Sequence, residues 1–167
     1  MNSLLAFDFL VNNEANTITV RREFDAERSL VWDAYTKSDI LDQWWAPKPW
    51  KARTKTMDFR EGGLWHYAMV SPAGEEHWSR VDFITIQPQE KIIQLNAFAD
   101  ANGNINSAMG QSRWELTFSD KGDMTMLEIF ITYKDLAQLE TMIQMGFKGG
   151  LAMGMEALDE LLPTLKK

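Results

Sequence analysis

The residues of this chain best suited to moving a proton are few. His66 and His77 are its only imidazoles, and it contains no cysteine. That removes disulfides, thiolate catalysis and cysteine–zinc sites, and two histidines alone make a poor protein-built site for a transition metal. Arg80 with Asp82 and Arg113 with Glu115 each stand two residues apart in strand-like runs, so each pair shares a face. Paired in a cavity they would be catalytic candidates, but charged residues at such alternating positions form the solvated face of a sheet. His66 alternates against Trp65 and Tyr67 and points away from them, while His77 adjoins a turn and is expected to be exposed. No serine–histidine–carboxylate order, phosphate-cradling glycine loop or paired-carboxylate motif is present. No catalytic residue, metal ligand or cofactor is therefore assigned.

The apolar side chains say more. Leu41 to Lys51, LDQWWAPKPWK, holds Trp44, Trp45 and Trp50 with Pro47 and Pro49. Proline forbids regular helix and central strand, and indoles carry large apolar surfaces, so the segment reads as a stiff aromatic wall. Alternation places Trp65, Tyr67 and Met69 on one face of their strand, and Trp114, Leu116 and Phe118 on one face of another. A C-terminal helix offers Met142, Met145, Phe147 and Met153. Any one of these alone reads as plain core. As a set, methionine with tryptophan makes an adaptable, polarizable surface suited to a variable apolar ligand. The candidate cavity lining is therefore Trp44, Trp45, Trp65, Tyr67, Met69, Trp114, Leu116, Phe118, Met142, Met145, Phe147, Gly150 and Met153.

The elements that must position these side chains follow from turn signals and periodicity. Phe7–Val11 and Thr17–Phe24 are β-prone runs joined by an asparagine-rich turn. A helix begins after Asp25, capped by Asp25 or Ser29. A second short one, capped by Ser38 or Asp39, runs through Trp44 until Pro47 and Pro49 close it off. Six strands are expected near 51–60, 64–71, 77–87, 91–99, 109–119 and 124–133, with connections short enough for an antiparallel meander. Asp135 should cap one long helix to about Leu162, ended by Pro163. Gly146, Gly150 and Gly154 recur every four residues and are expected to share its inward face, against the sheet. They allow either close backbone contact or room for a ligand. The fold class is α+β.

At 167 residues the chain fits one domain spanning 1–167, with an N-terminal extra strand about 5–11 and a core about 17–162. A formal net charge of -7 opposes a nucleic-acid partner, since phosphate binding needs a concentrated basic face. The apolar runs are too short for membrane insertion, and the first eleven residues lack the basic and small-residue features of a signal peptide. Absence of cysteine fits a reducing, cytoplasmic setting. Monomer and homodimer both remain open.

With these residues in view, the chain resembles the SRPBCC (START-like, Bet v 1-like) superfamily. Within it, the chain is most similar to the Aha-type branch, named after an activator of the Hsp90 ATPase. The resemblance rests on Val20-Arg-Arg-Glu-Phe-Asp-Ala26, Val31-Trp-Asp-Ala-Tyr35, Leu41-Asp-Gln-Trp-Trp-Ala-Pro47 and Phe59-Arg-Glu-Gly-Gly63 with Trp65 and Tyr67. It continues through Pro72-Ala-Gly74, Ile86-Gln-Pro88 and Met145-Gly-Phe-Lys-Gly149 with Leu158 and Leu161. It implies a helix-grip fold, a curved antiparallel sheet wrapped around a long C-terminal helix and enclosing a deep pocket. The leading functional expectation is a non-catalytic binding protein for a small apolar or amphipathic molecule. Two alternatives stand beside it. One is an enzyme of cyclase, dehydratase or hydrolase type using the same cavity. The other is a chaperone-linked or other protein-interaction role.

Overall fold

The computed structural model describes residues 7–165; of the extra strand expected at about 5–11, residues 5 and 6 lie outside them. Runs of alternating apolar and polar residues become strands β1 (Phe7–Asn12), β2 (Thr17–Phe24), β3 (Lys51–Met57), β4 (Leu64–Val70), β5 (Glu76–Gln87), β6 (Lys91–Ala99), β7 (Gln111–Lys121) and β8 (Met124–Thr132). Four segments with helical periodicity become α1 (Arg28–Thr36), α2 (Ser38–Trp44), α3 (Leu136–Gln144) and α4 (Phe147–Leu165). The strands form one eight-stranded sheet in the order β1-β2-β8-β7-β6-β5-β4-β3, and every neighbouring pair is antiparallel.

Helices α1 and α2 carry the chain from β2 to the far edge at β3. The meander then returns strand by strand until β8 lies against β2, with Thr17 opposite Thr132 and Phe24 opposite Thr125. Register breaks at Thr54/Thr56 and Phe83/Thr85 add the local twist that helps curl the sheet. Its concave face and the helices enclose a core of Ile18, Val20, Phe24, Leu116, Phe118, Leu127, Ile129 and Ile131 with Met155, Leu158 and Leu162 of α4. Each of these large side chains contributes roughly 1.5–3 kcal/mol by leaving water. The arrangement is the α+β helix grip expected from the sequence.

The C-terminal helix departs from expectation in two places. It is two helices, because Gly146 adopts φ +83°, a left-handed conformation that ends α3. Its N–H donates to the Ile143 carbonyl at 3.1 Å, as a helix-terminating turn requires. Asp135 does cap α3, accepting from the Gln138 N–H at 2.8 Å. Pro163 does not stop α4, which runs on to Leu165. The expected caps of the early helices are also displaced: Glu27 and Lys37 hold the N-cap positions of α1 and α2, without side-chain cap bonds.

Candidate functional site

A cavity of about 280 Å³ opens between the concave sheet face, the α3–α4 break and the tryptophan loop. One wall begins at Trp44–Trp45, where α2 ends and Pro47 turns the chain. The Trp44 indole is buried and donates to the Ala34 carbonyl at 2.9 Å, fixing the loop to α1. Trp45 faces the cavity and donates to the Tyr67 hydroxyl at 2.9 Å. Burial raises the Tyr67 phenol above its ordinary value, so it remains neutral. Trp45 also stands edge-on to Trp65 at 5.7 Å and tilted against Trp114 at 6.5 Å. The wall is thus held by both ring packing and a directional bond.

Glycines open the helix side of the space, but not by facing the sheet as the sequence suggested. A side-chain carbon at Gly150 would have Pro47 Cγ as its neighbour at 3.9 Å, an ordinary contact. At Gly154 it would meet the Trp45 and Trp44 carbonyl oxygens at 3.3 and 3.4 Å. Gly154 is therefore where helix and tryptophan loop touch backbone to backbone, and Gly150, one turn earlier, is where they part. Gly146 belongs to the break between the helices, with no atom within 4 Å of the position its side-chain carbon would take.

Of the side chains singled out from sequence, Trp44, Trp45, Tyr67, Met69, Trp114, Met142, Met145, Phe147 and Gly150 line this cavity. Four do not. Trp65 lies behind Tyr67, stacked on it at 4.0 Å and donating to Thr54 Oγ1 at 2.9 Å. Leu116 and Phe118 share the face of Trp114 but lie farther along β7, in the filled core beside Trp32 and Tyr35. Met153 is 45% exposed, on the side of α4 opposite its buried face. Trp50 packs edge-on against His77 at 5.0 Å, and the exposed His77 stands among the lining residues.

Sequence reasoning missed the polar part of the lining, Ser79, Asn96, Ser112, Tyr133 and Gln138, together with Phe98 and Met109. Ser112 was readable, since it is in phase with Trp114 on β7. Register joins these positions: Asn96 lies opposite Ser112 and Val81, and Arg113 opposite Thr132 brings Ser112 beside Tyr133. Trp114 Nε1 donates to Ser112 Oγ at 3.0 Å, and Gln94 Nε2 donates to Asn96 Oδ1 at 2.8 Å. The Tyr133 hydroxyl is buried without a partner, and burial pushes it up from its ordinary value. Gln138 is tied up in structure, with its Nε2 donating to the Met109 carbonyl at 2.8 Å and its Oε1 accepting from the Lys134 N–H at 2.8 Å.

The charged residues lie elsewhere. Arg80, whose position borders the cavity, commits its guanidinium to both Asp82 carboxylate oxygens and, at 3.0 Å, to the Gly103 carbonyl. His66 turns to the opposite face, where its Nε2 lies 2.9 Å from the Asp100 carbonyl oxygen. The pair Arg22–Asp159 is buried at the other end of α4, away from the lining. Among the described residues no group of three or more histidine, cysteine or acidic side chains is placed to hold a metal ion. No described helix is long and apolar enough to cross a membrane.

This geometry can be set beside known proteins. Residues 25–163 match the sequence model of the family described as Activator of Hsp90 ATPase homolog 1-like protein. No curated protein of related sequence matches the chain. A protein from Arthrobacter aurescens, solved in solution, is 26% identical with a TM-score of 0.88, covering 94% of this chain and 91% of its own. Protein Ms6760 from Mycobacterium smegmatis is 24% identical with a TM-score of 0.87, covering 97% and 99%. The AHSA1 protein from Silicibacter pomeroyi shares the fold at 15% identity and a TM-score of 0.72, covering 90% and 99%. The chain belongs to the activator of Hsp90 ATPase homolog 1-like family of the START-like superfamily.

Proposed function

We propose that this protein binds a small apolar or amphipathic molecule in the cavity beneath α3 and performs no chemistry on it. The observation that carries this reading is the space itself. About 280 Å³ is left unfilled among Trp45, Met69, Trp114, Met142 and Phe147, while the rest of the concave face is solidly packed. The volume lies just under the range of about 300–1,000 Å³ typical of small-molecule sites. No carboxylate stands among the lining residues, so an acid–base pair for the cyclase or hydrolase alternative has no support there.

Magnitudes set the scale of the test. A naphthalene-sized guest that removes roughly 400 Å² of its own and the cavity's apolar surface from water gains about 10 kcal/mol at ~25 cal/mol per Å². Association costs of about 4–6 kcal/mol leave about 4–6 kcal/mol, a dissociation constant between about millimolar and tens of micromolar. Titration of tryptophan fluorescence with naphthalene derivatives should show saturable quenching in that range. Gly150→Leu, which fills the cavity from the helix side, should abolish it while the protein stays folded. If no probe saturates below about 1 mM, the reading is wrong.

A further inference from the structure

We infer that the ligand of this cavity is a neutral molecule whose acceptor oxygen, of ketone or amide type, is held by Asn96 and Ser112. This rests on the ligand-binding reading above and adds which chemical class fits. The two residues are register partners on the concave face, and both line the cavity. One acceptor site on each is already used from within the protein: Ser112 Oγ takes the Trp114 indole N–H, and Asn96 Oδ1 takes the Gln94 amide. The group that each leaves wholly without a partner is its donor, the serine O–H and the asparagine Nδ2. Tyr133, the next residue along the same row, has a hydroxyl without a protein partner, but that oxygen is buried in the wall and does not face the open space.

A patch of donors inside an apolar chamber selects for an acceptor, because a guest without one leaves those groups unpaired. Charge decides between a carbonyl and a carboxylate. The one arginine bordering the cavity, Arg80, turns its guanidinium to the opposite face with His66, where Asp82 and the Gly103 carbonyl hold it. His77, the other basic group, is exposed to solvent. An anion would leave water with no cation to meet it, at a cost of several kcal/mol. A neutral carbonyl carries no such penalty, and an apolar body attached to it faces Trp45, Trp114 and Phe147.

The test compares 2-acetylnaphthalene with its hydrocarbon isostere 2-isopropenylnaphthalene, with 2-naphthol and with 2-naphthoate, by fluorescence titration of the whole chain. The ketone should bind about tenfold more tightly than the isostere, the upper end of what one net hydrogen bond supplies, and more tightly than the naphthol or the naphthoate. Asn96→Asp keeps an acceptor for Gln94 but removes the donor, so it should bring the ketone-to-isostere ratio close to one. Ser112→Ala should lower the same ratio without abolishing binding of the isostere. Equal binding of ketone and isostere by the unaltered protein, or preference for the naphthol or naphthoate, overturns this inference while leaving the cavity reading intact. Binding of none of the four overturns both.

Discussion

The two ends of α4 meet the same sheet with the same class of side chain and reach opposite results. Toward its C-terminus Met155, Leu158 and Leu162 close against Phe24, Tyr35, Ile129 and Phe118, and the space is full. Toward its N-terminus Gly150 stands among equally large neighbours, and the space stays open. Aromatic content therefore does not distinguish a core from a chamber. What distinguishes them is which partner withdraws its side chain, and how firmly the remaining walls are braced against collapse. Here the bracing is supplied by the contact of Gly154 with the Trp44 and Trp45 carbonyls and by the Trp45–Tyr67 hydrogen bond.

The filled end also holds the most sensitive contact. Arg22 and Asp159 form a buried ion pair, and burial pushes the Asp159 carboxyl up against the lowering pull of Arg22. Asp159→Leu strands the guanidinium and should cost about 3–5 kcal/mol in denaturant unfolding. Replacing both, Arg22→Met with Asp159→Leu, should restore stability to the wild-type level or above it, as solid apolar packing would. A double variant as weak as the single one would show that this end relies on the pair rather than on filled volume.

The second comparison uses the helix side alone. Gly154→Leu must push against two carbonyl oxygens and should lose about 1–3 kcal/mol. Gly150→Ala meets only Pro47 and removes a helix-interior glycine, so it should gain up to about 1 kcal/mol. Thermal unfolding of the two variants separates contact from vacancy. Equal losses would mean that the boundary between filled and open lies elsewhere.

The remaining expected difference appears only at alkaline pH. Tyr35 in the filled end and Tyr133 in the cavity wall both carry buried hydroxyls without partners, and burial raises both phenols from an ordinary value of 10.0. With the folded pKa raised, the associated stability is present below pH ~10 and is lost as pH rises, because the unfolded chain ionises first. Stability should fall by up to ~1.4 kcal/mol per pH unit per tyrosine. Tyr35→Phe and Tyr133→Phe should each flatten that slope, measured by unfolding at stepped pH. A bound carbonyl guest should leave the Tyr35 contribution untouched, and a change there would join two regions that the packing separates.

Much of this arrangement was readable because hairpin turns and period-2 alternation are local. The six meander strands and both faces of β4 and β7 follow from them, with shifted ends such as β7, which begins at Gln111 rather than Met109. Alternation gives the face but not the distance along it. Trp114 and Phe118 share a face, yet four residues at about 3.4 Å each separate a cavity wall from solid core. Gly146 was misread for a similar reason. Spacing of four grouped it with Gly150 and Gly154, whereas a glycine after Met145 is equally a helix stop, and its left-handed backbone shows which role holds. The polar row of Asn96, Ser112 and Tyr133 was hidden because it exists only across strands. No single segment shows that three modest polar residues are neighbours.

The break at Gly146 also separates two properties that a continuous helix would have joined. Beyond it α4 buries Met155, Leu158 and Leu162, while α3 buries only Gln138 and Leu139. Helix α3 is tied down by its Asp135 cap and by the Gln138 bonds to the 109–111 backbone. Lifting it uncovers Leu139 and the half-buried Met142 and breaks a handful of bonds, a far smaller free energy than unfolding the sheet. If the cavity is occupied as proposed, a guest beneath α3 would be retained by a clasp whose strength is largely separate from the fold's own. How long a molecule stays and how stable the protein is would then be set by different helices.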